Sequence, residues 1–194
     1  MNFTPKELAF IQDTDFLITK STILQKMTEV FNNIQGGLNE VRDQMLWKDA
    51  PMTFKISRGE SYRQLPYLVL DYPAFFSRND IMCFRTMFWW GHFYSATLHL
   101  QGQFLEQFRP CIQKNLDLLE NQDIYISAGQ TPWEYHYEVD NYLSYDRTLL
   151  KKQLTRHFIK ISQKYTLETG PTLPEKVLDF FLLIQKLITP AITC

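Results

Sequence analysis

Only three cysteines, Cys83, Cys111 and Cys194, occur in the 194-residue chain. Their odd number and wide spacing fit neither a disulfide framework nor a zinc site, so a reducing, cytoplasmic setting is expected. The formal net charge of −1 provides no bulk attraction to nucleic acid or to an anionic membrane. No apolar run approaches the ~20 residues that cross a bilayer; the most apolar stretch, Val177 to Ile188, is interrupted by Asp179, Gln185 and Lys186. Met1 to Glu7 lacks the basic start and long apolar core of an export signal. Phosphate-cradling glycine motifs and nucleophile elbows are also missing. The four histidines, His92, His99, His136 and His157, contain no chelating pair, so no metal site is expected and nothing names a cofactor.

What is present is a globular composition, 45% apolar and 21% charged, enough to fold without staples as one domain spanning 1–194. Apolar positions from Ile23 to Met45 recur at three-and-four spacing and predict a long helix, which Gly36-Gly37 can kink or break. Phe54 to Ser57 and Leu65 to Asp71 read as strands, with a loop after Tyr72-Pro73. Tyr94, Ala96, Leu98 and Leu100 alternate with polar residues at period two, predicting a strand. Cys83 to Trp90 forms its hairpin partner through Gly91, or alternatively a helix capped by Ser77 and Gly91.

Phe104 to Leu119 has helical spacing, and Ile124–Ser127 and Trp133–Val139 resemble a second hairpin. Leu150, Leu154, Phe158, Ile161 and Tyr165 predict an amphipathic helix from Asp146 to about Gly170. Thr172 and Glu175 have capping-box spacing before a last helix through Ile188. The fold class is therefore α+β: a central, mostly antiparallel sheet with its hairpin around residues 83–100, flanked by N-terminal and C-terminal helices.

Several polar residues interrupt apolar segments. Arg85 lies within Cys83 to Trp90 and must reach water, a carboxylate or a ligand. His99 shares a strand face with Ser95 and Thr97 and is the best-placed candidate base. Arg58, Glu60 and Arg63 cluster in a polar turn where two guanidinium groups can grip an anion, although an internal pair with Glu60 is the simpler reading. Glu134, His136 and Glu138 alternate opposite Trp133, Tyr135 and Tyr137, which reads first as a solvated polar face. Lys152, Arg156, Lys160 and Lys164 form a basic stripe along the predicted helix, balanced by the lysine- and arginine-free acidic stretch 116–146.

Leu65-Pro66-Tyr67, Asp71-Tyr72-Pro73, Phe84 to His92 and Thr97 to Leu100 together resemble an uncharacterised bacterial protein family, over residues 57–102. The resemblance implies a cytoplasmic bacterial protein and carries no site.

The function expected on these grounds is the binding of a small anionic ligand by Arg58, Arg63, Arg85 and His99, with neither nucleic acid nor membrane as partner. Two other classes compete with it. One is an interaction module, monomer or homodimer, using the basic helix 147–164 or the Trp89-Trp90 surface. The other is a hydrolase or transferase with a histidine base.

Overall fold

The period-two segments of the sequence assemble into one antiparallel sheet in the computed structural model, which describes residues 2–41 and 53–190. The strands are β1 (Thr53–Tyr62), β2 (Leu65–Phe76), β3 (Ile81–Trp89), β4 (Phe93–Gln101), β5 (Tyr125–Ser127), β6 (Tyr142–Ser144) and β7 (Phe158–Tyr165), in the order β1-β2-β3-β4-β7-β5-β6. Two N-terminal helices, α1 (Pro5–Gln12) and α2 (Thr14–Glu40), precede the sheet. Helix α3 (Gln103–Lys114) follows β4, α4 (Arg147–Gln153) precedes β7, and α5 (Leu173–Ile188) closes the fold. No helix among the described residues is long and apolar enough to cross a membrane.

Alternation gives the sheet two unlike faces. Leu68, Leu70, Met82, Phe84, Leu98, Leu100, Ile159 and Ile161 point to one side, where they join Phe31 and Leu38 of α2, Leu105 of α3, and Phe180, Phe181 and Ile184 of α5 in one core. Phe84 meets Phe181 edge to face, with ring centroids 4.9 Å apart. Asn115, just past α3, donates to the carbonyls of Lys186, Leu187 and Thr189 and satisfies the C-terminal end of α5. The opposite face is covered by the loop 128–141 and carries the polar residues considered below.

The 83–100 hairpin forms as the strand reading expects, and the helical alternative for Ile81 to Phe88 does not. Trp89 pairs with Phe93 across a turn in which Gly91 takes a φ of 71°, a conformation that disfavours any side chain. Helix α2 runs unbroken through Gly36-Gly37 because its buried residues, Met27, Phe31, Ile34 and Leu38, keep one face against the core; positions 42–45 of the predicted helix lie outside the described residues. Helix α1 adds a start the spacing had not marked, a capping box between Thr4 and Glu7 with Pro5 in the first turn.

Four expectations are corrected. Strand β2 does not end at Tyr72-Pro73 but continues to Phe76, because a bulge between Asp71 and Ala74 places the proline where no ladder hydrogen bond is required. Trp133–Val139 is not a strand; β5 pairs with β6 instead, leaving 128–141 as the connecting loop. The amphipathic helix from Asp146 stops at Gln153, and Phe158–Tyr165 is a strand whose Ile159 and Ile161 face the core. Thr172 is the residue before α5, yet its side chain makes no cap hydrogen bond, so that capping box is absent.

Candidate functional site

Strand register brings the sheet's second face together residue by residue. Directly opposed residues of neighbouring antiparallel strands share a face. Asp71 of β2 lies opposite Arg85 of β3, Arg85 opposite Thr97 of β4, and Thr97 opposite Ser162 of β7. One pleat further along, Cys83, His99 and Lys160 form a second row. Tyr135, Tyr137 and Tyr142 lie over these rows from the loop and from the start of β6.

Arg85 answers the question its position in an apolar run raises. Its Nε and one terminal nitrogen donate to the two oxygens of Asp71 at 2.6 and 2.7 Å, a bidentate pair, and its other terminal nitrogen donates to the Tyr135 hydroxyl at 2.5 Å. Burial opposes the guanidinium's charge, but the hydrogen bonds it donates to Asp71 outweigh it and hold the group firmly protonated. The Cys83 thiol donates to the same carboxylate at 3.3 Å. Burial, with Asp71 adding to it, pushes that thiol well above the ordinary range, so it is no nucleophile at neutral pH.

Lys160 is the residue that helical spacing misplaced. It is fully buried, at 0% exposure. Among the described residues no carboxylate comes within ion-pair distance of its ammonium. Its Nζ donates to the Glu134 carbonyl and lies 4.7 Å from the Tyr135 ring centroid and 4.9 Å from that of Tyr142. Burial, reinforced by the Arg85 charge, lowers its pKa from 10.5 to about 7. The alternation of Ile159 and Ile161 with Lys160 and Ser162 is the signal that would have found it.

His99 sits beside Lys160 on β4, 3% exposed, between Trp133 and Phe158. Burial, with the positive charges of Lys160 and Arg85, lowers its pKa to about 3, so the ring is neutral. Its Nε2 has no protein hydrogen-bond partner, and neither does the buried Tyr142 hydroxyl. Ser162 Oγ, by contrast, is fully engaged with the Thr97 hydroxyl at 2.6 Å, with the Tyr137 hydroxyl, and with the Ala96 carbonyl.

No family model, curated protein sequence or solved structure matches this chain. Its chemistry therefore rests on the arrangement itself.

Of the four expected ligand residues, Arg85 and His99 share the buried face and the other two lie apart. Arg58 is exposed on β1 opposite Leu68, which turns its side chain toward the helix-covered face. Arg63 lies in the tight β1–β2 turn at a φ of 47° and pairs with Glu138 of the loop at 2.6 Å, out at the surface. Glu60 pairs with Lys20 of α2, not with either arginine. The polar turn of 57–63 is thus mostly strand, and it has no anion clamp. Gly59 within it is required by close approach: a side chain there would strike the Tyr67 ring at 2.5 Å.

The basic stripe also disperses. Lys152 belongs to α4, Arg156 donates to the carbonyls of Ala128 and Gly129, Lys160 is interior, and Lys164 is exposed on β7. Trp89 is 3% exposed and stacks on His92 at 3.7 Å, so no Trp89-Trp90 surface exists, although Trp90 remains half-buried.

The loop is pinned at its acidic edge. The Tyr62 hydroxyl donates to Glu134 at 2.9 Å and accepts from the backbone amides of Tyr135 and His136. His136 is buried, with Glu134, Glu138 and Asp140 oxygens 3.5 to 3.8 Å from its ring nitrogens. One ligand atom from each of His136, Glu138 and Asp140 falls within 4.8 Å of the others, the single grouping of this kind among the described residues.

Proposed function

We propose that this protein binds a small anionic ligand on the buried face of its sheet, at Lys160, His99 and Arg85, beneath the loop 128–141. The observation that carries the reading is the Lys160 ammonium, enclosed without a carboxylate of its own. A lone buried cation is costly, and its largest available relief is a counter-anion. Asp71 already neutralises Arg85, so the unbalanced positive charge belongs to Lys160. An anion replacing the Glu134 carbonyl would meet that ammonium, and the unpartnered Tyr142 hydroxyl stands ready to donate to it. Its entry requires the segment around Glu134 and Tyr135 to lift from the sheet.

A base at His99 is a poorer account. A group held near 3 accepts protons too weakly to serve as a general base at neutral pH. The free thiols Cys83 and Cys111 are compatible with a reducing setting.

Thermal shift against inorganic phosphate, sulfate and small carboxylates tests the proposal. At a ligand concentration of about 100 Kd the gain is roughly 2.7 kcal/mol. Lys160→Met should abolish this gain and Arg58→Ala should leave it intact. No stabilisation by any anion, or stabilisation equal in the two variants, would refute the assignment.

A further inference from the structure

The N-terminal 22 residues have a surface that the rest of the chain does not explain. Helix α1 buries none of its residues, and α2 buries nothing before Met27, so the first half of α2 overhangs the sheet. Asp13 ends α1 and accepts from the Phe16 amide to start α2, so the two helices meet at a one-residue junction. Phe10 and Phe16 hold it together, with ring centroids 4.7 Å apart.

Large apolar side chains remain in water along these two helices: Leu8 is 44%, Ile11 53%, Leu17 48% and Ile18 65% exposed. Phe3, Phe10 and Phe16 are 54, 54 and 41% exposed. Taking roughly 200 Å² for a fully exposed phenylalanine and somewhat less for leucine and isoleucine, the seven leave on the order of 650 Å² of mostly apolar surface uncovered. Such a patch is at or above the roughly 300–600 Å² that a typical monomer exposes, and close to the roughly 800 Å² each partner contributes to a stable interface.

We infer that a second copy of this chain covers this surface, forming a two-fold homodimer through α1 and the first half of α2. Two observations choose that occupant. The surface offers both a projection and a groove: next to the residues that precede the projecting Ile11 and Ile18 lies an apolar groove of about 390 Å³, lined by Phe10, Phe16, Leu17 and Lys20 of the two helices and by Leu65 and Trp90 at one end of the sheet. Projection and groove on the same segment are what an isologous interface matches to itself, because residue i of one copy meets j of the other and the reverse. The charge pattern fits as well. Lys6 and Lys20 against Glu7, Asp13 and Asp15 leave the segment nearly neutral, so two copies do not repel. The same balance denies it the basic face that holds an amphipathic helix on anionic lipid.

Sedimentation velocity of the full chain over a concentration series tests the inference, independently of anion binding. The unsubstituted protein should double in mass with concentration. Ile18→Glu and Ile11→Glu, both at exposed positions, should stay monomeric with unchanged circular dichroism and unfolding midpoint. Hydrogen exchange of the unsubstituted chain gives a second reading that needs no variant, with residues 5–20 slowing selectively as dimer accumulates. A monomer at every concentration overturns the inference, as does a dimer that survives both charged variants or protects another region. A monomer that instead floats with phosphatidylcholine–phosphatidylglycerol vesicles overturns it in favour of a lipid surface.

Discussion

Replacing Lys160 with methionine should change how stability depends on pH, with a sign that follows from the burial. In the folded chain, burial and the neighbouring Arg85 bring the ammonium from 10.5 down to about 7, whereas the unfolded chain keeps the ordinary value. Between those two values the unfolded chain binds a proton that the folded chain has released, so stability rises with pH through that window. Below it both states are protonated and the full penalty of burying the charge is present. Each pKa unit corresponds to about 1.36 kcal/mol, so moving from about pH 7.5 to about pH 9.5 should add roughly 2–3 kcal/mol to the unsubstituted chain. Methionine preserves much of the stem's packing and cannot titrate, so the variant loses this rise. Denaturant unfolding of both proteins at matched pH steps isolates the effect, because exposed groups common to both cancel in the difference. The series must stop below about pH 10, since Tyr62, pushed up to about 12 mainly by burial, holds its proton longer in the folded state and acts in the opposite direction. The variant should be at least as stable as the parent near neutrality, with the difference closing or reversing as pH rises. Parallel curves would refute the reading of Lys160 as a buried charge without a counter-ion. Saturating phosphate, if it binds there, should flatten the parent's curve toward that of the variant.

Three further outcomes follow. Arg85→Met leaves Asp71, 6% exposed, without its partner, and should cost about 3–5 kcal/mol in denaturant unfolding, most of it recovered in the double variant Asp71→Leu with Arg85→Met. His99, lowered to about 3 by burial and by the charges of Lys160 and Arg85, contributes stability that is present above its ordinary 6.5 and lost as pH falls toward 3; His99→Asn should shift the acid-unfolding midpoint downward. Arg63→Ala removes only an exposed pair with Glu138 and should change stability by less than about 1 kcal/mol, with no effect on any anion-induced shift.

The elements that could be read from sequence were those whose periodicity matched their environment. In β4, apolar residues face the helices and Ser95, Thr97 and His99 face the other side, so the alternation is clean. Strand β7 defeated the same reading because Leu150, Leu154, Phe158, Ile161 and Tyr165 happen to follow three-and-four spacing across an element boundary. Leu150 and Leu154 belong to the end of α4, while Ile161 belongs to a strand. That error moved Lys160 from the interior to a solvated helix face and hid the most unusual charge in the molecule. Arg85 was legible as a problem, since an arginine among large apolar side chains needs a partner. Asp71 was not legible as its solution, because strand pairing across a bulge is long-range information. The loop was read as a strand from its alternation, and Tyr135 does turn inward with Glu138 outward; His136, placed among the outward residues, is buried.

The two faces of one sheet have been put to different uses. On the helix side alternate residues make a dry aliphatic and aromatic core, the arrangement that maximises burial. The opposite face buries Asp71, His99, Lys160 and Ser162 and half-buries Arg85 beneath an irregular loop instead of a helix. Stability alone does not account for that choice, because well-packed apolar replacements of buried ion pairs are often neutral or stabilising. Nor does solvation, since Lys160 and His99 are enclosed and held toward their neutral forms. The pair Asp71–Arg85 is internally compensated and can serve as scaffold. Lys160 has a carbonyl and two aromatic faces, with the Glu134 carboxylate beyond ion-pair distance yet still favouring its charge, and neither His99 Nε2 nor the Tyr142 hydroxyl makes a hydrogen bond. In the proposed anion site, Lys160 and the Tyr142 hydroxyl are the groups that would meet the ligand once the loop over them lifts.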